Sequence, residues 1–209
     1  MKRFSVLLTA LAPVAVAAFA LPSSGLAVTG STTCSAAGTP GVTYDGTPTT
    51  DVINSTVASN FTVPAGAPLC RVFGAEIQGN TSVGGNLAAF GGTFDKNVTV
   101  NGGSFAAVNH GVTIKGNLSL INPAANRDSG FWPTDGVNQV QGNLSFTLDG
   151  TVSYACYTWP GLYLGQLVLG TGGTTGNFSY TGYANKLYDA GLTGGGSRSL
   201  TYLPPQAGC

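Results

Sequence analysis

Few side chains in this 209-residue sequence could do chemistry. It holds one histidine, His110, and eight acidic residues: Asp45, Asp51, Glu76, Asp95, Asp128, Asp135, Asp149 and Asp189. Glycoside hydrolysis needs two carboxyl groups held about 5 Å or about 6.5–9.5 Å apart. Glu76 and Asp95 come from neighbouring copies of a repeat but fall at different frame positions, and Asp128 and Asp135 share one loop. Neither pair is a convincing acid–base couple. His110 takes the place that Phe73 and Phe90 hold in other copies, which reads as structural. With no second histidine and no Cys-x-x-Cys pair, a transition-metal site has no nucleus. Calcium at Asp128 and Asp135 would need an EF-hand or Gly-Gly-x-Gly-x-Asp spacing, and neither is present. The expectation is a protein without catalytic residues, metal or cofactor.

Binding chemistry has better candidates. Phe131 with Trp132, and Trp159, offer aromatic faces that can stack on sugar rings. Their competing role is packing, where a loop folds back or the C-terminal part caps the core. The four cysteines, Cys34, Cys70, Cys156 and Cys209, are an even number with wide spacing, so two disulfides stapling ends onto a body are expected. Three connectivities are possible.

The composition narrows the partners. Charged residues are 8 % of the chain, 8 basic against 8 acidic, where an average soluble domain has about 25 %. A nucleic-acid binder needs a basic footprint and is excluded. The 32 glycines disfavour long helices, and their lack of an every-third-residue period excludes collagen.

Residues 1–27 read as a secretory signal peptide: Lys2 and Arg3, an apolar run from Val6 to Leu21 broken by Pro13, then small residues at Gly25-Leu26-Ala27. Cleavage fits after Ala27, or after Ala20. The run is short for a membrane span, which wants roughly 20 residues, so no integral membrane segment is expected after processing. Losing Lys2 and Arg3 leaves 6 basic residues (8 − 2) against 8 acidic, a formal charge of −2. The product should be secreted or held at the extracellular surface. Residues 28–62, rich in Thr, Ser and Pro, read as a loosely structured or short-stranded leader.

From residue 63 to 209 the pattern is repetitive. Phe73-Gly74-Ala75-Glu76-Ile77-Gln78-Gly79-Asn80 returns as Phe90-Gly91-Gly92-Thr93-Phe94-Asp95-Lys96-Asn97 and as His110-Gly111-Val112-Thr113-Ile114-Lys115-Gly116-Asn117. Gly136-Val137-Asn138-Gln139-Val140-Gln141-Gly142-Asn143 is a fourth copy, and Thr175-Gly176-Asn177 a weaker echo. Each runs into alternating apolar and Thr/Ser residues. Units this small cannot bury an apolar face alone, but stacked they share one core. Gly-Asn is expected to supply a positive-φ corner, and Asn and Thr at equivalent levels could stack as ladders.

The fold expected is all-β, a short parallel β-helix (solenoid) with disulfide-tied ends; the alternative is an antiparallel β-sandwich. A hairpin at Asp149-Gly150 tests the alternative. It would set Leu144, Phe146 and Leu148 against Ala155, Ser153 and Thr151, with Val152, Tyr154 and Cys156 on the other face. A one-sided hairpin does not split its apolar residues this way. Residues 122–135 interrupt the repeat as a loop insertion. The C-terminal part is Tyr-rich, with seven of the eight tyrosines beyond Leu148, and suits a cap.

Residues 61–148, with the corner Val63-Pro64-Ala65-Gly66 and the Gly-Asn-Val/Leu repeats, resemble uncharacterised exported Gly-Asn-repeat β-solenoid proteins of high-GC Gram-positive bacteria. More weakly, the short rungs are similar to bactofilin-like polymer-forming β-helices, which are cytoplasmic and poor in cysteine. The resemblance implies a non-enzymatic structural or cell-surface solenoid with possible self-association or cell-wall and glycan contact, and no catalytic residue is carried over. The alternative function is a carbohydrate or surface-ligand binding module. Seven Asn-x-Ser/Thr triplets, at Asn54, Asn60, Asn80, Asn97, Asn117, Asn143 and Asn177, read as surface polar positions.

Overall fold

The computed structural model describes residues 27–28, 32–34, 43–44, 47–53, 55–67, 69–107, 111–124, 129–131, 138–148, 167–169, 172–189 and 192–204. The chain enters with β1 (Ala27–Val28) and β2 (Thr32–Thr33), then a short antiparallel pair, β3 (Thr43–Tyr44) with β4 (Thr47–Pro48). Seven coils of three strands follow. The first two are β5 (Thr50–Ile53), β6 (Thr56–Val57), β7 (Phe61–Val63) and β8 (Cys70–Phe73), β9 (Glu76–Ile77), β10 (Thr81–Val83). Next come β11 (Asn86–Phe90), β12 (Gly92–Phe94), β13 (Val98–Asn101) and β14 (Ser104–Ala107), β15 (Val112–Ile114), β16 (Leu118–Ile121). The fifth and sixth are β17 (Ser129–Phe131), β18 (Asn138–Val140), β19 (Leu144–Thr147) and β20 (Leu167–Leu169), β21 (Gly172–Thr174), β22 (Phe178–Gly182). After a 3-10 turn at Ala184–Lys186, β23 (Leu187–Asp189), β24 (Leu192–Gly194) and β25 (Arg198–Tyr202) complete the seventh.

First strands of successive coils form one seven-stranded sheet. Second strands with β1, and third strands with β2, form two eight-stranded sheets. Pairing within all three is parallel, so the protein is a parallel β-solenoid. The repeat frame read from the sequence is the observed register: Glu76 pairs with Thr93, Thr93 with Thr113, and Thr113 with Gln139. The antiparallel alternative has no room at its best site. Strand β19 is already paired to β16 on one edge and β22 on the other, so no hairpin partner can join it.

Two boundaries move. Stacking does not begin at Val63: β5, β6 and β7 pair in register with β8, β9 and β10, so much of the expected leader is the first coil. The short Thr/Val strands there carry the same alternation with fewer large apolar residues, which hides them in the sequence. Within the insertion, Ser129–Phe131 is not loop but the first strand of coil five, between β14 and β20.

The core is built of vertical columns, because parallel in-register pairing stacks like positions above one another. Val57, Ile77, Phe94, Ile114 and Val140 form one buried column, and Val63, Val83, Val100, Leu120, Phe146 and Tyr180 another. Phe146 and Tyr180 stack with ring centroids 5.2 Å apart. Burial pushes the Tyr180 phenol far above its usual range, and its hydroxyl donates to the Tyr183 carbonyl at 2.7 Å. A disulfide joins Cys34 to Cys70, tying the entering segment to the second coil.

Glycine has two separate duties here. Gly74 and Gly91 take φ of +57° and +72°, the left-handed region that costs other residues, and turn the chain from first to second strand. The glycines before asparagine do something else. Gly116 and Gly142 have no left-handed φ; a Cβ on Gly116 would lie 2.6 Å from the Lys96 backbone carbon, and one on Gly142 2.6 Å from the Gly116 carbonyl oxygen. The expected positive-φ Gly-Asn corner is therefore corrected. What excludes a side chain at these glycines is the close approach of the preceding coil.

Two substitutions separate these forces. Gly116→Ala should destabilise by about 2 kcal/mol, as overpacking against backbone does, read as a lower denaturation midpoint. Thr81 sits in an apolar column between Phe61 and Val98, 2 % exposed, with its hydroxyl unpartnered. Thr81→Val should stabilise by about 1 kcal/mol, because it removes a buried polar group without a hydrogen bond. A lower midpoint for this variant would contradict the assignment.

Candidate functional site: a neutral amide and hydroxyl face

The corner between second and third strands carries an asparagine in six successive coils. Asn60 Oδ1 accepts from the Asn80 backbone N–H at 3.0 Å, and Asn80 Oδ1 from Asn97 at 3.3 Å. The series continues through Asn117 at 2.9 Å, Asn143 at 2.8 Å and Asn177 at 2.8 Å, and ends on the Ser197 N–H at 3.0 Å. A second bond runs alongside. The N–H after each asparagine donates to the corner carbonyl of the next coil, as Leu118 does to Asn143 at 2.9 Å and Phe178 to Ser197 at 2.9 Å. Buried or strained corners must satisfy their backbone groups, and a short amide side chain aligned with the stack does so once per coil.

The residue after each ladder asparagine points inward, and the next points out. Phe61, Thr81, Val98, Leu118, Leu144 and Phe178 are buried. Thr62, Ser82, Thr99, Ser119, Ser145 and Ser179 follow them on the outer face, in register with one another and with Thr33 above and Ser199 below. Eight hydroxyl side chains thus form one row, spaced by the strand separation of about 4.8 Å. Ser145 Oγ donates to Ser119 Oγ at 3.1 Å. Six of the seven Asn-x-Ser/Thr triplets are this unit, and Asn54 lies outside the described residues. The triplet is the signature of a ladder corner, an inward core residue and an outward hydroxyl. Asn60 belongs to it too, within the segment whose composition reads as leader; its apolar middle residue, Phe61, is the sequence signal for it.

The ion pairs lie on the other two sheets, between adjacent coils, and on the third sheet Arg198 lies at the last strand with its guanidinium over the Phe178 ring. Arg71 donates from Nε to Asp51 Oδ1 at 2.8 Å and from Nη2 to Oδ2 at 2.7 Å on the first sheet. Lys115 contacts Asp95 at 2.7 Å on the second, and that hydrogen bond, then the carboxylate charge, raise the ammonium pKa above its ordinary value. Glu76 is level with Thr93, not with Asp95, so the two carboxylates occupy different levels, as the frame indicated. Among the described residues no three His, Cys, Asp or Glu side chains group as a metal site. A shallow depression of about 260 Å³ on the second sheet is lined by Gln139, Gln141, Thr174 and Thr175, below the volume typical of ligand pockets.

The stacking candidates separate. Phe131 is 1 % exposed, level with the buried Ala107 on the first sheet. It cannot offer a face to a sugar, so the ligand-binding role expected of it is corrected to core packing. Trp132 and Trp159 lie outside the described residues, as do Cys156, Cys209, His110, Asp128 and Asp135. No helix among the described residues is long and apolar enough to cross a membrane.

These features define the class: a parallel β-solenoid with an asparagine ladder and a neutral hydroxyl face. No family model, curated protein or solved structure matches the chain.

Asn117 tests the ladder. Asn117→Ala removes the acceptor for the Asn143 N–H and should cost about 1 kcal/mol, measured by denaturant unfolding. Asn97→Asp with Asn117→Asp would put like charges on adjacent coils, so the double variant should lose more at neutral pH than the two singles summed. Strict additivity at low salt would show that the ladder positions do not face one another.

Proposed function

We propose that this protein is an exported, non-enzymatic structural solenoid of the cell surface, a stiff body that self-associates and presents an uncharged amide and hydroxyl face outward. The observation that carries the reading is the continuity of that face. Its outward hydroxyl row runs from Thr33 to Ser199 without a charged residue, and its corners are spent on bonds between coils. Such a surface suits contact with other neutral, hydroxyl-rich surfaces such as wall polysaccharide.

Export is supported by two independent features. The basic and apolar start of residues 1–27 has the layout of a secretory signal, and the Cys34–Cys70 disulfide belongs to oxidising compartments. Ala27 pairs with Thr56 in β1, which favours cleavage after Ala20 over cleavage after Ala27. The test is fractionation of the source cells, with intact-mass measurement of the product under thiol alkylation. The expected product lies outside the cytoplasm, begins at Leu21 and carries Cys34 and Cys70 unalkylated. Full-length, fully alkylated protein in the cytosol would overturn the proposal.

A further inference from the structure

We propose that the C-terminal edge of the solenoid docks a second copy of this chain, tail to tail, through antiparallel pairing of β25 with β25 of that copy. The inference rests on the self-association in the reading above and specifies its surface and symmetry.

Among the described residues, strand β25 ends the third sheet and pairs there with β22 alone. All five of its residues are exposed. Leu200 and Tyr202 stand level with Tyr180 and Gly182 on the core side. Tyr180 is 1 % exposed, whereas Leu200 is 40 % and Tyr202 51 % exposed. Among the described residues, apolar side chains at core level are therefore left uncovered at this end. Such an edge invites pairing with another chain.

Backbone phase decides how. Ser197 O accepts from Phe178 N, and Leu203 N donates to Gly182 O, so residues 197 and 203 turn toward β22. Strand alternation then points the N–H and C=O of Leu200 and Tyr202 to the outer edge, with Arg198 in the same phase. Antiparallel pairing about a twofold at Leu200 makes these the mutually bonded positions. It sets Leu200 opposite Leu200, Arg198 opposite Tyr202 and Ser199 opposite Thr201 of the second copy. No like charges meet, and Arg198, whose guanidinium already lies 5.2 Å from the Phe178 ring centroid, comes opposite a second aromatic ring. The strand is thus self-complementary, as a twofold interface requires.

Head-to-tail stacking is the poorer fit. Its partner in the same sheet would be β2, only two residues long against five in β25, and short edges resist pairing. The twofold arrangement uses the whole strand and closes after two copies.

The experiment is sedimentation of the purified protein, wild type beside Leu200→Lys, with circular dichroism to confirm that both are folded. Cross-linking of Leu200→Cys and Ser199→Cys under mild oxidation is read on non-reducing gels. The expected results are a wild-type dimer, a monomeric L200K, and a covalent dimer from L200C alone. In the proposed register the two Ser199 Cα atoms stand about 8 Å apart, beyond disulfide reach. A wild-type dimer that survives L200K and gives no L200C cross-link would overturn this edge while leaving self-association in place. Filaments abolished by L200K would overturn the twofold. A monomeric wild type at tens of micromolar would overturn both readings; protected amides at Leu200 and Tyr202 would then assign the edge to the chain's own residues 205–209.

Discussion

Everything in this molecule depends on the distance between one coil and the next. Backbone hydrogen bonds between parallel strands fix that separation at about 4.8 Å, and the corners must meet the same spacing as the strands. At Gly79, Gly116, Gly142 and Gly176 this leaves no space for a Cβ, as the 2.6 Å approaches at Gly116 and Gly142 show, while coils one and three pass the same corner with Ser59 and Lys96. It also brings each asparagine amide within reach of the next backbone N–H. Where glycine and asparagine sit side by side, one spacing uses both: a missing side chain allows the approach, and a short one bonds across it.

The spacing explains how coils of very different length stay in step. Successive ladder asparagines are separated by 20, 17, 20, 26 and 34 residues. Whatever the interval, the corners keep their level. Solenoid stability is close to a sum over neighbouring coils, so each coil needs only its own contacts with the coils above and below. The two ends differ accordingly. At the entry, short strands and the Cys34–Cys70 disulfide tie the chain down; at the exit, a five-residue strand stands open.

The middle coils were legible in the sequence because their signals coincide. Phe73-Gly74 to Asn80 and its next two copies combine a left-handed glycine, an alternating apolar residue and a ladder asparagine at constant offsets, and the observed register follows them. The first coil escaped notice because Thr56-Val57 and Asn60-Phe61-Thr62 keep the geometry with smaller residues and no preceding Gly-Asn. Strand β17 escaped because Ser129-Gly130-Phe131 has no alternation: all three residues are buried. The same burial hid the nature of Phe131, whose neighbour Trp132 made an aromatic pair look like a binding surface. A hydrophobic side chain beside a tryptophan reads the same in sequence whether it faces solvent or a core column. The role of the corner glycines is hidden in sequence for a related reason, since composition shows that glycine is present but not whether conformation or proximity needs it.

The scarcity of charge follows from the same stack. In-register pairing places each outward residue directly over its equivalent in the next coil, so a repeated charged residue would face copies of itself along the whole body. Two like charges at that separation repel by about 1 kcal/mol even in water, and every further coil adds another such contact. Charges on adjacent coils of one column must carry opposite signs, whereas a lone charge such as Glu76 stands between neutral Thr56 and Thr93. The described ion pairs obey this rule: Asp51 lies level with Arg71, and Asp95 with Lys115, one residue beyond the Phe94–Ile114 pair. Elsewhere neutral hydroxyls and amides fill the positions, because they can bond to their own kind at that spacing, as Ser145 does to Ser119. A chain with 8 % charged residues is therefore not deprived of chemistry by accident. Its composition is the surface that a parallel, in-register stack can tolerate.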